Sequence, residues 1–316
     1  MIDHFPYKTA LVTGGAGFIG SHIVEQLLEL NVKVICLDNF SGGKRGNLAH
    51  IENHPLLTVV EADVTDFERI VDWFRGVEVV FHEAVSKNTV CMKNPRLDLK
   101  TNAEGTFNVL EASRIHGVKK IVHASTGSVY GEPVYVPEDE KHPTEPVSFY
   151  GTSKLAAEKY CRVFRRLYGM NISILRYFHV YGPRQEDNDF GGVVSIFIRR
   201  VENNQSPVVY GDGSQVRSFT FVKDVVKANL LVASHPETDG EIYNCASGLK
   251  ITVQQLAELV LRQLQREDLP IHYADWKPGD IKQFDIDNAK IKRIGMTFDW
   301  DFERGVAETI KRRPKA

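Results

Sequence analysis

Residues 13–20, TGGAGFIG, stand between a short apolar run typical of a buried strand and a segment whose apolar residues have helical spacing. A glycine-rich turn from strand to helix brings free backbone N–H groups and the positive helix end to one point, which suits a pyrophosphate. Gly14 allows the tight turn, Gly17 lets the backbone approach the phosphates, and Gly20 lets the helix pack close to the strand. The alternative is a plain strand–turn–helix whose glycines serve packing alone.

The next apolar run, residues 32–37, ends at Asp38. An acid about 20 residues beyond such a turn is the expected partner of the adenosine ribose of a dinucleotide. Asp38 would accept bonds from the ribose hydroxyls and repel a 2′-phosphate, so NAD is favoured over NADP. Lys44 and Arg45 follow closely and weaken that preference, although they are equally typical of a solvated loop.

Composition excludes several classes of protein. The 316 residues carry a net charge of −2 with both signs interspersed, which does not indicate a nucleic-acid partner. No signal peptide or membrane-spanning segment is visible. The cysteines lie far apart without the spacing of metal ligands, so we expect reduced thiols in a cytoplasmic protein and no metal site; they are Cys36, Cys91, Cys161 and Cys245.

Strand-like and helix-like segments alternate through the first part of the chain. Further strands are predicted at 57–60, 77–82, 119–125 and 172–177, and helices at 97–116 and 149–168. This alternation requires a parallel sheet with helices on both faces. The predicted fold is therefore α/β, with a Rossmann-type, doubly wound parallel sheet.

The predicted division places a dinucleotide-binding domain with the catalytic residues at 1–180. A smaller, mainly substrate-binding domain follows at 181–316, where glycine, proline and polar residues become frequent. The cleft between the two parts is the expected active site.

Asp63 follows the third predicted strand, at the edge where open parallel sheets hold ligands. Its carboxylate suits the amino group of adenine. An equally good interpretation makes Asp63 the N-cap of the next helix.

Tyr150 and Lys154 stand four residues apart, so a helix places both on one face within contact range. A free tyrosine has a pKa of about 10, and lowering it by about three units needs roughly 4 kcal/mol. One ammonium about 4 Å away supplies energy of that order at an effective dielectric constant of about 20. The lysine would make the phenolate accessible, and the phenolate could take a hydroxyl proton. Alternatively, both residues belong to a solvated helix face.

Hydroxyl side chains follow the fifth predicted strand in the stretch STGSVYG, residues 125–131. At that position they would face a nicotinamide and could bond the reacting oxygen. The alternative is a group of turn residues that ends a strand.

Taken together, the motifs resemble the extended short-chain dehydrogenase/reductases that act on nucleotide sugars, above all the UDP-glucose 4-epimerase group. The resemblance covers nearly the whole chain. Besides the glycine turn, Asp38, Asp63, the hydroxyl stretch and the Tyr–Lys pair, it rests on three segments in order: LRYF at 175–178, YGPRQ at 181–185 and GDGSQVRSF at 211–219.

The resemblance implies an enzyme that keeps NAD bound and binds a UDP-sugar. The catalytic residues it implies are Thr126, for which Ser125 is a weaker candidate, Tyr150 and Lys154. The implied cofactor-binding residues are Gly14, Gly17, Phe18, Ile19, Gly20, Asp38, Asn39, Ser41, Gly42, Asp63, Val64, Lys87, Asn102, Tyr150, Lys154 and Tyr177. The implied substrate-binding residues are Lys87, Thr126, Ser128, His179, Val194, Tyr210, Arg217, Asp280 and Phe284.

One local feature separates the activities of this family. The related 4,6-dehydratases and glucuronate decarboxylases carry an acidic residue between the catalytic Thr and the following Val-Tyr-Gly, where this chain has Gly127 and Ser128. A 4-epimerase is therefore favoured. A UDP-sugar dehydratase, decarboxylase or 4-ketoreductase is the runner-up, and a dinucleotide-sensing binding protein is the alternative without catalysis.

The chain departs from the family pattern at two positions and leaves its sugar open. His179 replaces a usual Asn, and Lys277 replaces a common Arg before the ribose-binding Asp280. Phe284 falls at the gatekeeper position, which predicts poor activity on UDP-N-acetylglucosamine. UDP-glucose/UDP-galactose and UDP-glucuronate/UDP-galacturonate both remain open. The resemblance also implies a homodimer with a four-helix interface.

Overall fold

The computed structural model of the protein describes residues 5–86, 88–188, 191–276 and 285–313. Its strands are β1 (Thr9–Thr13), β2 (Lys33–Asp38), β3 (Leu57–Glu61), β4 (Val79–His82), β5 (Lys120–Thr126), β6 (Ile172–Tyr177), β7 (Val180–Tyr181), β8 (Val208–Tyr210), β9 (Val216–Arg217), β10 (Thr220–Phe221), β11 (Ile242–Cys245), β12 (Ile251–Thr252) and β13 (His272–Ala274). Its α-helices are α1 (Phe18–Glu29), α2 (Phe67–Ile70), α3 (Asn88–Cys91), α4 (Pro95–Leu99), α5 (Gly105–Ile115), α6 (Phe149–Tyr168), α7 (Val193–Glu202), α8 (Val222–Ser234), α9 (Val253–Gln263), α10 (Ala289–Arg293) and α11 (Phe302–Lys311).

Seven strands form one sheet in the order β11-β6-β5-β4-β1-β2-β3. Each neighbouring pair from β6 to β3 is parallel. The order reverses at β1, which has β2 on one side and β4 on the other, and ligands of open α/β sheets bind at such a switch point beyond the carboxyl ends of the strands. The predicted doubly wound α/β fold is confirmed, although β11 lies outside the predicted strands.

The central strands are buried along almost their whole length, as a sheet covered on both faces requires. Side chains from the strands meet those of the flanking helices in one core, whose members include Leu11, Ile35, Val80, Val109 and Ile174. Because β1, β4 and β5 are parallel neighbours, their carboxyl ends come to one edge of the sheet.

Helix α6 begins and ends where capping residues place its boundaries. The Ser148 hydroxyl accepts a bond from the Gly151 N–H at 3.0 Å, and Gly169 closes the helix with a φ of +69°. The helix predicted at 97–116 is instead divided into α4, a π-helical turn at Lys100–Glu104 and α5. Across the described ranges, no helix is both long and apolar enough to traverse a bilayer.

The chain forms two compact units, each built from separate stretches. The first contains Met1–Pro133, His142–Tyr177 and Val225–Tyr243, and the second contains Val134–Lys141, Phe178–Asp224 and Asn244–Ala316. In the second unit, short strands pair as β10 with β7, β12 with β9 and β13 with β8.

Candidate active site

The glycine turn after β1 packs directly against neighbouring backbone. Gly14 has a φ of +64°, and its N–H donates to the Leu37 carbonyl at 2.8 Å. A Cβ on Gly14 would lie 2.8 Å from the Ala84 nitrogen, and a Cβ on Gly20 would lie 2.2 Å from the Gly14 oxygen. Both positions therefore exclude side chains, and the backbone itself forms the surface of the turn.

Helix α1 presents its amino end at this turn without a side-chain cap. Gly17 is the N-cap, with its N–H donating to the Gly14 carbonyl at 3.0 Å, and Phe18 and Ile19 begin the helix. The first N–H groups of a helix have no intrahelical acceptor, and the N-cap residue supplies none here. An anion at this end would meet those donors together with the positive end of the helix dipole.

Asp38, at the end of β2, turns its carboxylate into the same region. It accepts bonds from the Ala16 N–H at 2.9 Å and from the Phe40 N–H at 2.7 Å, and it is buried. Burial raises the pKa of this carboxyl, and the two backbone bonds oppose that rise. Asp38 is thus placed beside the glycine turn, at the carboxyl end of its strand.

A second acid, Asp63, is hydrogen-bonded to the residue that follows Asp38. Asn39 donates to the Asp63 carboxylate at 2.6 Å, while its own oxygen accepts bonds from the Ser41 N–H and hydroxyl. Burial raises the pKa of Asp63, but bonds from Thr65 and Asn39 outweigh it and leave the pKa lowered. Asp63 is not the N-cap of α2, because Asp66 has that position.

Two other residues predicted to bind the cofactor are Gly42, on the loop that follows β2, and Val64, which follows Asp63. Gly42 is exposed, and a Cβ added there would have no atom of the described residues within 4 Å. Val64 is buried, packs against Gly105, and accepts a bond from the Asn108 amide at its carbonyl.

Helix α6 carries Tyr150, Lys154 and Glu158 at successive helical turns, so that one face presents all three. Lys154 and Glu158 are almost fully buried. Glu158 forms a two-pronged ion pair with Arg176 of β6, at 2.9 and 2.7 Å, and accepts a bond from the Ser125 hydroxyl at 2.6 Å. This buried pair fixes α6 to the ends of β5 and β6.

Thr126 ends β5 and lies in hydrogen-bond contact with the Tyr150 hydroxyl. Its hydroxyl also accepts a bond from the Ser128 N–H at 3.2 Å and lies 3.3 Å from the Ser128 hydroxyl. Ser125, by contrast, is buried and engaged with Glu158. The hydroxyl in contact with the tyrosine is therefore that of Thr126.

The ionisation of the Tyr–Lys pair differs from the expectation based on spacing. Burial raises the pKa of Tyr150 to about 12, opposed by the bond from Thr126. Burial lowers the pKa of Lys154 to about 8, opposed by the charges of surrounding acids, with Glu83 first among them. Spacing along a helix places the two side chains on one face. It contains no information on the desolvation that both groups undergo.

Asn102 lies in the π-helical turn between α4 and α5, a feature often found at functional sites. Its amide nitrogen donates to Asp98 at 2.9 Å, to the Ser86 carbonyl at 3.1 Å and to the Ser153 hydroxyl at 3.1 Å. Its amide oxygen accepts a bond from the Ser86 N–H at 2.8 Å. Asn102 thereby ties the loop after β4 to the residue that precedes Lys154.

Tyr177, at the end of β6, is paired in register with Thr126 at the end of β5. Its hydroxyl lies 2.8 Å from a Glu83 carboxylate oxygen and 2.8 Å from the Asn229 amide nitrogen. Glu83 directly follows β4, at the switch point of the sheet. Burial raises its pKa to about 7, opposed by the bond from Tyr177 and the charge of Lys154.

Of the predicted substrate-binding residues that the structure describes, four lie in the second unit. Arg217 is buried in β9, and its charge acts on His179, whose pKa is lowered to about 3, chiefly by burial. His179 is therefore neutral at pH 7 and packs edge-on against Phe219. Val194 is buried in α7, and Tyr210 is exposed at the end of β8. Lys87, Asp280 and Phe284, together with Lys277, lie outside the described residues.

Sequence reasoning missed two residues that the structure brings to the Tyr–Lys pair. These are Glu83 and the buried ion-paired Glu158. Glu83 did have a signal, because it is an acid directly after a buried strand, much as Asp38 and Asp63 stand at strand ends. Glu158 had a weaker one, its position four residues beyond Lys154 on the same helix.

The turn, the loop beyond β2 and the Tyr–Lys helix fit a dinucleotide. The amino end of α1, which has no side-chain cap, offers N–H groups to phosphates, and Asp38 and Asp63 offer carboxylates to the adenosine end. At the other end, Thr126, Tyr150 and Tyr177 stand where the strands β5 and β6 finish. Within the part of the chain that the structure describes, no three His, Cys, Asp or Glu side chains gather as metal ligands do.

Fold and site together define a dinucleotide-dependent α/β enzyme with a tyrosine–lysine pair. The chain belongs to the NAD-dependent epimerase/dehydratase family, whose model matches residues 10–246. It is 40% identical over 304 residues to a putative UDP-glucose 4-epimerase of Methanocaldococcus jannaschii, covering 95% of this chain and 96% of that one. It is 35% identical to a UDP-N-acetyl-α-D-glucosaminuronate decarboxylase of Bacillus cytotoxicus, covering 97% and 89%.

Solved structures give the same result. The UDP-glucose 4-epimerase of Thermotoga maritima with UDP-glucose matches with a TM-score of 0.91 at 37% identity, over 96% of this chain and 98% of that one. The UDP-N-acetylglucosamine 4-epimerase of Methanobrevibacter ruminantium M1, in complex with UDP-N-acetylmuramic acid, matches with a TM-score of 0.92 at 35% identity, over 97% and 98%. The comparisons confirm the predicted family, the dependence on NAD and the assignment to enzymes of the 4-epimerase kind.

Proposed function

We propose that the protein is an NAD-dependent UDP-sugar 4-epimerase that inverts carbon 4 by transient oxidation. The observation that carries this proposal is the contact between Thr126 and Tyr150, with Lys154 one turn further along the same helix face. The 40% identity to a chain named a putative UDP-glucose 4-epimerase supports it. The chain's first predicted domain, 1–180, would hold NAD, and its second, 181–316, would hold most of the nucleotide sugar.

The chemistry proposed for the protein's own residues is a proton transfer. Tyr150 accepts the proton of the sugar's 4-hydroxyl while the hydrogen on carbon 4 leaves as hydride, and both return to give the inverted alcohol. Thr126 bonds the oxygen at carbon 4 throughout. NAD, held by the glycine turn and Asp38, would supply the acceptor and donor of that hydride. Atoms and electrons balance over the cycle, so no co-reactant is consumed.

Electrostatics decide when Tyr150 can accept a proton. Its pKa of about 12 makes the phenol a weak acid at neutral pH. The ammonium of Lys154 and the positive charge of an oxidised nicotinamide both favour the phenolate. We therefore expect the tyrosine to become an effective base only when both positive charges are present.

The adenosine end supports NAD over NADP. Asp38 would meet the ribose hydroxyls with a carboxylate, which repels a 2′-phosphate. Arg45, the residue best suited to bind such a phosphate, lies over the Phe40 ring at 4.1 Å and pairs with Glu61. Its guanidinium thus has a ring and a carboxylate as neighbours at the surface.

The main rival activity is a decarboxylase or dehydratase, which also occurs among the relatives. At the positions where those activities would need a carboxyl, the structure has a 3-10 turn formed by Gly127, Ser128 and Val129. The Ser128 N–H bonds to Thr126, so this turn supports the hydroxyl and supplies no acid. That observation favours epimerisation over elimination or loss of carbon dioxide.

For substrate binding we propose Arg217 and His179 beside the diphosphate, Tyr210 beside the uracil ring, and Val194 and Ser128 as further contacts. Because burial and Arg217 keep His179 neutral, it would act as a hydrogen-bonding group and not as a cation. The corresponding roles of Lys87, Asp280 and Phe284 stay predictions.

The deciding experiment is incubation with UDP-glucose, UDP-glucuronate and UDP-N-acetylglucosamine in turn, with products resolved by proton NMR. We expect one of the first two sugars to be converted to its 4-epimer, with slow conversion of the third. Release of water or carbon dioxide, or net consumption of NAD(P)H, would replace the proposal by its rival. Binding of NAD without turnover of any of the three would favour a dinucleotide-sensing protein.

A homodimer is also proposed, through the helices α4, α5 and α6 of two copies. These helices carry a set of large apolar side chains that are at least two-fifths exposed in one chain, namely Leu97, Leu99, Phe107, Ile115, Tyr160, Val163, Leu167 and Tyr168. Exposed apolar patches of this kind are typical of association surfaces. We expect the wild type to sediment as a dimer and a Leu99→Lys variant to sediment as a monomer. A wild type that sediments only as a monomer would exclude this dimer.

A cytoplasmic location is proposed because Cys36, Cys91, Cys161 and Cys245 are all free and buried. Free thiols are typical of a reducing compartment. Recovery of the protein in a periplasmic or secreted fraction of its source cells would refute this location.

A further inference from the structure

His82 ends β4 in the interior of the sheet, and the proposed reaction does not use its imidazole. The residue is 1% exposed and lies in register with Thr13 at the end of β1. Burying a polar group costs free energy unless the group is hydrogen-bonded. Both ring nitrogens of His82 have a partner, one towards the glycine turn and one towards α5.

The partner of Nε2 determines where the imidazole carries its hydrogen. The hydroxyl oxygen of Thr106, on α5, lies 2.9 Å from His82 Nε2. That hydroxyl donates its single proton to the backbone carbonyl of Asn102 at 2.6 Å, so towards His82 it can only accept. His82 therefore donates from Nε2, and Nε2 carries a hydrogen.

The partner of Nδ1 agrees with a neutral ring. The Thr13 hydroxyl oxygen accepts a bond from the Ala84 N–H at 3.2 Å and lies 2.7 Å from Nδ1. Among the described residues, Nδ1 is the acceptor that the structure offers to the Thr13 proton, and an imidazolium could not accept it. Burial, with a smaller effect from the charge of Lys154, also lowers the pKa of His82 to about 3.

These bonds join the two halves of the proposed site. Thr13 directly precedes Gly14 of the glycine turn. At the other end, the side-chain amide of Asn102 donates to the Ser153 hydroxyl at 3.1 Å, and that hydroxyl lies 3.1 Å from the Tyr150 carbonyl oxygen. We call the series the His82 network; its members are Thr13, His82, Thr106, Asn102 and Ser153.

Thr106 has a particular place in this network, because it lies in the first turn of α5, directly after the π-helical turn that contains Asn102. A threonine hydroxyl bonded to the carbonyl four residues back competes with the N–H ladder and often bends a helix. The amide of Asn102 also donates to Asp98 and exchanges two bonds with the backbone of Ser86. The orientation of that amide therefore depends on a hydroxyl that His82 holds in place.

From these contacts we infer that His82 is a positioning residue, a neutral imidazole that fixes the glycine turn against the helix of Tyr150 and Lys154. With the phosphates of the dinucleotide at the turn, this spacing sets how the nicotinamide end meets Tyr150. The inference rests on the proposed function for its kinetic consequence. The tautomer of His82 and the orientation of Asn102 concern the protein alone and can be tested separately.

The first measurement is nitrogen-15 NMR of the histidine side chains in the NAD-loaded protein, with the His82 signals assigned by their absence in His82→Gln. We expect one protonated and one unprotonated ring nitrogen, with the hydrogen on Nε2, and no titration between about pH 5 and pH 8. A hydrogen on Nδ1, or an imidazole that becomes charged in this range, overturns the inference.

The second measurement uses Thr106→Val, which keeps a branched side chain and removes the hydroxyl. We expect the side-chain amide signals of Asn102 to move and kcat for the UDP-sugar to fall about tenfold, because small displacements of reacting groups are costly in rate. KM and the NAD content should stay as in the wild type, since the turn and the sugar contacts are unaltered. Thr106→Ser restores the hydroxyl and should return both kcat and the amide signals to their wild-type values.

Ser113→Ala is the matched control. Ser113 is buried on the same helix, and its hydroxyl also donates to the carbonyl four residues back, that of Val109, at 2.7 Å. The control should change neither kcat nor the Asn102 signals, even where it lowers the stability in urea as much as Thr106→Val does. If Thr106→Val does not fold, Thr13→Val breaks the network at its other end and should lower kcat likewise.

The outcomes separate the inference from the proposed function. A wild-type kcat in both Thr106→Val and Thr13→Val overturns the inference, whatever the stability of the variants. If the wild type epimerises no UDP-sugar, the proposed function alone is refuted. The inference is then decided by the tautomer of His82 and by the Asn102 signals, and signals that stay in place in Thr106→Val overturn it.

Discussion

Asp38 and Lys154 are both buried charged groups near the carboxyl ends of the sheet strands, yet they are stabilised by different parts of the chain. Asp38 accepts two backbone N–H groups from residues within 22 positions of it. Lys154 depends on side chains, with the charges of Glu83, Glu158 and Asp98 all raising its pKa against burial. The proposed adenosine end of the site is therefore built from local backbone, and the proposed chemical end from side chains that come from distant parts of the sequence.

This difference has a consequence for tolerance to substitution. Backbone donors at the adenosine end survive most changes of side chain, so that end should fail only where a glycine or the acid itself is replaced. At the chemical end, several charged-to-neutral changes should alter ionisation without moving an atom of the backbone. Substitutions at the adenosine end should therefore lower the affinity for NAD and the stability. Substitutions at the chemical end should change the ionisation of its side chains.

The largest effect is expected at the chemical end, for Tyr150→Phe. The variant loses the group that we propose as the acceptor of the hydroxyl proton, and general acid–base groups of this kind contribute about 10² to 10⁴ in rate. We expect kcat to fall by that factor while NAD stays bound, measured by proton NMR of the product and by the NAD content of the purified protein.

Tyr168→Phe is the control for that experiment, because Tyr168 ends the same helix and is exposed. Its turnover should equal that of the wild type. Near-full turnover by Tyr150→Phe would show that Tyr150 is not the base. The contrast between the two ends of the site would then lose its support at the Tyr–Lys end.

A smaller effect is expected at the glycine turn, for Gly20→Ala. The new Cβ would meet the Gly14 carbonyl oxygen at 2.2 Å, and that oxygen belongs to backbone that cannot rotate away. Overpacking of this kind costs about 1 to 3 kcal/mol. We expect the free energy of unfolding, measured with urea, to fall by that amount, and the affinity for NAD to fall with it.

Gly46→Ala provides the comparison for Gly20→Ala, since no atom of the described residues lies within 4 Å of the Cβ that it would add. It should unfold at the wild-type urea concentration. Equal stability of the two variants would mean that the turn can move, and that backbone contact does not define the adenosine end.

The two ends also differ in how far the sequence could predict them. The first strand, the glycine turn and Asp38 lie in one short stretch of sequence. The structure has the strand, the turn and the acid where their spacing predicted them. The position of Tyr150 on the same helix face as Lys154 was likewise predictable, because four residues make about one helical turn. The π-helical turn at Lys100–Glu104 was not, because it follows from packing and leaves no period in the sequence.

What the sequence could not predict is the ionisation of the chemical end. Glu83 meets Tyr177 across 94 residues, and Tyr177 meets Asn229 across 52 more. Such partners are found only when the sheet order is known. Desolvation was also missing from the argument based on spacing, and it is the largest influence on the pKa of both Tyr150 and Lys154.

The smallest effect is expected for Asp38→Asn, which sharpens the account of the adenosine end. The asparagine keeps an oxygen for one of the two backbone bonds but loses the charge that we expect to favour ribose hydroxyls and to repel a 2′-phosphate. A hydrogen bond to a charged group contributes about 1.5 kcal/mol at the lower end of its range, which corresponds to roughly a tenfold loss of affinity for NAD. NADP should lose less affinity, because the repulsion disappears as well, so the preference for NAD narrows.

Fluorescence titration with NADH and NADPH measures both affinities. The control is Asp72→Asn, at an exposed acid paired with Arg75, which should leave both affinities unchanged. An undiminished preference for NADH in Asp38→Asn would show that the carboxylate does not select the cofactor, and Arg45, already paired with Glu61, would have to be tested in its place.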